Sequence, residues 1–170
     1  MNQISIRTIV KYLNLKEKLN KVTFVLFPLL FFVIACSDYK TQTSDNLNWI
    51  NDLEKAIETA KAESKAVLVN FTGSDWCNWC FKLSNEVFSQ EEFKEYADEN
   101  LILVKVDFPQ SIPQSSETKA YNQSLAQKFG VQGFPTIIII NSQGKPVAKT
   151  GYQAGGPVNY INHIKSHLGS

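Results

Sequence analysis

Metal-ligating side chains are scarce in this sequence: two histidines and three cysteines among 170 residues. A closed zinc site takes about four ligands, commonly two CxxC hooks or one hook with two histidines. The chain has one hook, Cys77–Cys80, and its histidines, His163 and His167, lie far downstream near the C-terminus. A metal centre or other cofactor is therefore not expected. Basic clustering is also missing. Outside residues 1–35 the chain carries 12 basic and 15 acidic residues, a net of −3. That balance excludes a phosphate-neutralising surface, and with it a nucleic-acid partner. Internal repeats are absent. Methionine occurs once, at position 1, so no later methionine start would shorten the N-terminal lead. The number of cysteines is odd, which is awkward for an exported chain unless one is used otherwise.

Long apolar runs are limited to one. Val22–Ala35, VTFVLFPLLFFVIA, is 14 residues without a charge, interrupted by Pro28 and preceded by Arg7, Lys11, Lys16, Lys18 and Lys21. It is shorter than the ~20 residues a spanning helix needs and fits the apolar part of an export signal, although its basic lead is long for one. Its end, VIAC (Val33–Cys36), resembles the bacterial lipoprotein signal: a branched apolar residue, a spacer, a small residue, then cysteine. That resemblance implies cleavage before Cys36 and lipidation of its sulfur. The alternative is an uncleaved anchor in which Cys36 is incidental. On the first reading residues 1–35 are a signal peptide and 36–47 a polar tether from a lipid anchor, of roughly 20 Å reach. Residues 48–170 are then one folded domain, lipid-anchored outside the cytoplasm of a bacterium and facing the periplasm.

Within the domain, Leu47, Ile50, Leu53, Ile57 and Ala60 recur at helical spacing, with Asp45, Asn46 or Asn48 as a possible cap. Ala66–Phe71 reads as a strand, Cys77 onward as a helix, and Ser89 with Glu92 as a capping box restarting it. Leu101–Val106 is a second strand, and Asp107–Glu117 a proline-containing loop. Tyr121, Leu125 and Phe129 mark a helix stopped by Gly130. Phe134–Ile140 is a buried strand. The turn Asn141–Gly144 leads to an edge strand containing Pro146. Gly156-Pro157 opens a last helix whose inner face is Val158, Ile161, Ile164 and Leu168, with both histidines on its solvated side. The expected fold class is α/β: a central mixed sheet, parallel at first with one antiparallel edge, flanked by helices on both faces.

The stretch Asp75–Cys80, DWCNWC, carries the chemistry. A cysteine at a helix start meets unpaired backbone N–H groups and the positive end of the helix dipole. Both favour thiolate over thiol and so make Cys77 a nucleophile. Cys80, one turn further in and more shielded, is placed to resolve a mixed disulfide. A structural role gains little, because so short a loop removes little chain entropy.

The order of strand, DWCNWC, helix and a later GFPT opening a strand resembles the thioredoxin superfamily over about Leu47–Leu168. GSDWCNWCFKLSNEVF (Gly73–Phe88) and VQGFPTIIII (Val131–Ile140) are similar to bacterial members related to the soluble C-terminal domain of the membrane thiol–disulfide interchange protein. The resemblance implies a thioredoxin-like fold and a cis Phe134–Pro135 bond beside the cysteines. It also implies that Phe134, Pro135 and Thr136 present backbone to an extended substrate. One position departs from the pattern. Asn70 stands where the family keeps a buried aspartate that accepts the resolving thiol's proton, and an amide cannot accept it. Lys105 falls where the family has a lysine near that aspartate. Asp75 reads as a residue at the helix start and Glu86 as an exposed helical charge. Trp76 matches the tryptophan that commonly precedes the first cysteine. For Trp76 and Trp79 the readings are an apolar platform for substrate or packing against the loop Phe108–Gln114.

The implied function is a thiol–disulfide oxidoreductase that reduces or isomerises disulfides of exported proteins, fed by a thiol electron donor. Its alternatives are a dithiol oxidant and a non-catalytic binding module at the membrane.

Overall fold

Trp49–Ile50 forms a two-residue strand, β1, and the chain then enters helix α1, Leu53–Glu63. Asp52 caps α1, its carboxylate accepting from the Lys55 N–H at 2.9 Å. Strand β2 (Ala66–Thr72) leads to the short helix α2 (Asn78–Leu83), a π-helical turn at Ser84–Phe88, and helix α3 (Glu91–Asn100). Strand β3 (Leu101–Asp107), helix α4 (Ser116–Lys128), the hairpin β4 (Thr136–Ile140) and β5 (Pro146–Thr150), and helix α5 (Gly156–Leu168) follow. This computed structural model describes residues 46–169. The expected signal peptide, Cys36, the candidate cap Asp45 and all but the last two residues of the tether lie outside the described residues. No described helix is long and apolar enough to cross a membrane.

The five strands are ordered β1-β3-β2-β4-β5. β1, β3 and β2 run parallel, β4 runs antiparallel to β2, and β5 runs antiparallel to β4. The period-2 alternation of strands splits the interior into two cores. One face carries Leu68, Leu101, Leu103, Ile137 and Ile139, packed against Leu83, Phe93, Tyr160 and Ile164 of α2, α3 and α5 and against Val87 and Phe88 of the π-turn. The other carries Val67, Val69, Phe71, Val104, Val106 and Ile138, packed against Leu53, Ala56, Ala60 and Leu125 of α1 and α4. Every residue of β2 and β4 is buried. That is why their apolar runs are nearly unbroken rather than alternating.

The mixed sheet with helices on both faces agrees with the sequence reading, and five local expectations are corrected. First, the helix begins at Leu53, not Leu47. Trp49 and Ile50 pair with Leu103 and Val104 at the edge of the sheet, and Asp52 rather than Asn46 or Asn48 supplies the cap. Leu47 is buried in the first core, so the folded part includes the last residue assigned to the tether. Second, the Ser89–Glu92 capping box does not form. The π-turn carries the helical coil to Ser89, whose N–H donates to Ser84 O and whose hydroxyl donates to Asn85 O. Third, Val158 is 59% exposed, and Tyr160, fully buried, takes the inward position. Fourth, the antiparallel strand is the internal β4, while the edge strand β5 again runs with β2. A run of isoleucines encodes burial but not direction. Fifth, His163 is half-buried, its Nε2 2.9 Å from Thr150 Oγ1, and only His167 is solvated.

Replacing Phe93, fully buried between Phe88 and Tyr160, by alanine is expected to cost about 3–5 kcal/mol of stability. The exposed Val158→Ala should stay within about 0.5 kcal/mol. Denaturant midpoints of the two variants check the core assignment.

Candidate active site

β2 ends at Thr72, and Gly73–Trp76 carry the chain to Cys77, the N-cap of α2. Cys77 Sγ accepts from the Cys80 N–H at 3.2 Å, one turn along. The two sulfurs form a disulfide, with 5.2 Å between the Cα atoms. Cys77 and Cys80 are 5% and 7% exposed. In the disulfide state, therefore, the expected difference in shielding between them is absent.

The loops around the pair are set by the strands. β3 is parallel to β2, and Thr72 stands opposite Asp107, so the segment after β3 emerges beside the cysteine loop. β4 is antiparallel, with Thr136 opposite Phe71, so its start lies at the same end of the sheet. The Phe134–Pro135 peptide immediately before it is cis. Gly151 closes on this turn: a Cβ there would stand 3.0 Å from Pro135 O. Thr136 is buried, its hydroxyl donating to Gly133 O at 2.7 Å.

The two tryptophans diverge. Trp76 lies over Gly73, donates its indole N–H to Phe108 O at 2.8 Å, and meets Phe134 edge-on at 5.8 Å. Phe134 in turn packs on Phe108 at 5.1 Å. Trp76 therefore does contact the Phe108–Gln114 loop. Trp79 does not use that contact. It is 56% exposed and tilts against Tyr152 at 5.4 Å, with Lys82 Nζ 5.2 Å from its ring centre.

The approach to Cys77 is tied to the segment after β3 at consecutive residues. Ser74 donates its N–H and hydroxyl to the Asp107 carboxylate at 2.9 and 2.6 Å. Asp75 accepts from the N–H groups of Gln110, Ser111 and Ile112 at 2.9, 2.6 and 3.2 Å. These donors, Gln110 first, hold the Asp75 carboxyl below its ordinary range. Asp75 is thus a loop anchor as well as a residue near the helix start. Glu86 likewise is more than an exposed charge. It accepts from Tyr152 OH at 2.5 Å and lies 3.8 Å from Lys82 Nζ. That hydrogen bond, chiefly, pushes the Tyr152 phenol up from its usual value.

Asn70 is buried in β2 on the face shared with Leu68, the face covered by α2. Its Oδ1 has no hydrogen-bond partner within the protein. Lys105 stands opposite it on β3, half-buried, with Nζ 5.3 Å from the Trp49 ring centre. Among the described residues no group of three or more His, Cys, Asp or Glu side chains is placed to hold a metal ion. Of the sequence-derived site residues, the structure gathers Cys77, Cys80, Trp76, Phe134 and Pro135 at one end of the sheet. Trp79 stands on the opposite flank and Asn70 with Lys105 deeper in the sheet; Cys36 lies outside the described residues. Tyr152 and Ile112 were not singled out by sequence. The signal available for Tyr152 was its place after a glycine at the end of the edge strand; Ile112 carried none beyond lying in the proline-flanked loop.

Comparison with known proteins agrees with this geometry. The family described as a thioredoxin-like domain matches residues 53–158. The disulfide bond reductase DsbH of Chlamydia pneumoniae is 40% identical over 123 residues, covering 72% of this chain and 74% of that protein. A solved DsbH oxidoreductase superposes with a TM-score of 0.68 at 36% identity, covering 78% of this chain and 92% of that one. The reduced C-terminal domain of DsbD from Neisseria meningitidis shares the fold, with a TM-score of 0.51 at 22% identity over 68% of this chain and 93% of that one.

Gly73 is the position at which the tryptophan wall can be tested. A Cβ there would stand 2.5 Å from the Trp76 indole. Gly73→Ala is expected to displace Trp76 and cost about 1–3 kcal/mol. A shift in tryptophan emission together with a lower denaturation midpoint checks it; an unchanged spectrum would refute the packing.

Proposed function

This chain belongs to the thioredoxin-like family, and from that premise we propose that it is a thiol–disulfide oxidoreductase that reduces or isomerises disulfides in exported proteins. The observation that carries the reading is the Cys77–Cys80 pair at the start of α2, with the Cys80 amide directed at Cys77 Sγ. A donor aimed at that sulfur favours its thiolate. The reduced form then works in two exchanges. The Cys77 thiolate attacks one sulfur of a partner disulfide, forming a mixed disulfide and releasing the other partner sulfur as a thiolate. Cys80 gives up its proton to water, its thiolate attacks Cys77 Sγ, the mixed disulfide breaks, and the second partner thiolate leaves. Two electrons pass to the partner, whose thiolates take up protons from solvent, and a thiol electron donor restores the Cys77–Cys80 dithiol. Pro135 and its neighbours Phe134 and Thr136 shape the substrate groove, and Trp79, exposed beside Cys80, contacts the substrate. Reduction is favoured over oxidation because a relative of 40% identity is named a disulfide bond reductase. We place the protein outside the cytoplasm, held to a bacterial membrane by lipid on Cys36 and facing the periplasm, because VIAC follows an apolar, export-type run.

Insulin reduction with dithiothreitol tests the activity. Cys77→Ser is expected to fall to the uncatalysed rate, and Cys80→Ser to accumulate mixed disulfide; equal rates for wild type and Cys77→Ser would favour a binding module instead. The reduction potential of the pair tests direction: a value near ~ −270 mV fits a reductant and one near ~ −120 mV an oxidant.

Asn70 makes proton removal from Cys80 the slow part of the cycle. Asn70→Asp, with Lys105 opposite it, supplies the missing base and should speed resolution of the mixed disulfide by about tenfold or more. Rapid-quench trapping of the mixed disulfide measures this, and an unchanged rate would remove the proton-acceptor argument.

A further inference from the structure

We propose that Asp75 is a positioning residue that holds the Phe108–Gln114 segment, the strap, as part of the contact surface for protein disulfides, with Ile112 as its exposed apolar contact. The strap joins β3 to α4 without regular structure and contains Pro109 and Pro113. Left alone, such a segment samples many conformations. Here three consecutive N–H groups, from Gln110, Ser111 and Ile112, converge on the single Asp75 carboxylate. On either side of Asp75, Ser74 bonds the Asp107 carboxylate and Trp76 bonds Phe108 O. Hydrogen bonds to an ionised acceptor are the strong kind, and Asp75 accepts three of them directly from the strap backbone.

The seam fixes an apolar rim. Four large hydrophobic side chains are exposed among the described residues: Trp76, Trp79, Ile112 and Val158. Two of them, Trp76 and Trp79, immediately precede the cysteines. Ile112, 55% exposed, is tethered through its own N–H to Asp75, two residues before Cys77. Trp76 and Ile112 share this seam while Trp79 lies on the opposite flank, and exposed apolar side chains held beside a reactive pair mark a binding surface. With the Asp75 charge engaged by three backbone donors, the strap offers isoleucine to an incoming chain. The occupant it fits is an extended polypeptide with an apolar residue beside its cystine. A small disulfide has no flanking chain to lay on Ile112 and so would gain nothing from the strap.

The inference rests on the oxidoreductase reading, and its test separates the two. The reduced full chain is mixed with insulin or with glutathione disulfide, and its oxidation is followed in single turnover. Asp75→Asn keeps the side-chain size but sets an NH2 group against N–H donors. It is expected to lower the insulin-to-glutathione ratio of rate constants about fivefold, and to speed amide exchange at residues 110–112 about tenfold. Ile112→Ser, at a position 55% exposed, should lower the same ratio while leaving those amides protected. Wild-type exchange rates in Asp75→Asn would overturn the clamp. An equal fall with both disulfides, or an unchanged ratio in Ile112→Ser, would overturn the strap as a contact surface. A wild-type chain that reduces neither disulfide would instead overturn the oxidoreductase reading, with amide exchange still reporting on the clamp.

Discussion

The hydrogen-bonded ladder that holds β2 between β3 and β4 is the constraint on which the site depends. β2 is paired on both sides and buried along its length, so its end is a fixed point. Strand direction then decides what surrounds that point. A parallel neighbour ends where β2 ends, which delivers Asp107 and the strap. An antiparallel neighbour begins there, which delivers Pro135. β5, antiparallel to β4, finishes at the same end with Thr150 opposite Ile137, which delivers Gly151 and Tyr152. Three chain segments distant in sequence reach the disulfide because of these directions, before any side chain selects another.

Side-chain bonds then stiffen the two flanks by different means. On one flank the fastening is mostly backbone to carboxylate, through Asp75 and Asp107, with Trp76, Phe134 and Phe108 packed alongside. On the other it is a phenol on a carboxylate, Tyr152 on Glu86, with Lys82 5.2 Å from the Trp79 ring centre and 5.0 Å from that of Tyr152. Partly exposed contacts of the second kind are individually weak. Their value is geometric: they hold an exposed indole in one place beside a buried disulfide. A preorganised surface of this kind loses less ordering entropy when a partner chain docks.

Much of this was legible in the sequence where one local rule was enough. Unbroken apolar runs identified β2 and β4, Pro146 the edge strand, and Gly156-Pro157 the start of α5. The cysteine spacing after a strand identified the dithiol. What stayed hidden was decided between distant segments. Trp49–Ile50 continues the apolar spacing of α1, and only pairing with β3 makes it a strand. Ser89 and Glu92 spell a capping box, but the π-turn before them had already taken Ser89 into the preceding coil. Glu86 read as an exposed charge and Asp75 as a helix-start residue because their partners, Tyr152 and the strap amides, lie 66 and 35 to 37 residues away. The antiparallel course of β4, which places Pro135 at the site, has no mark in the isoleucines themselves.

Asn70 has a consequence for how the molecule responds to its surroundings. A buried acid beneath the dithiol would change charge with acidity and couple the sheet to the medium. An amide does not titrate. Its unpartnered Oδ1 carries a standing desolvation cost of about 1–3 kcal/mol, but that cost is the same in acid and in neutral solution. A compartment whose acidity drifts with its exterior would therefore leave this one position of the sheet undisturbed.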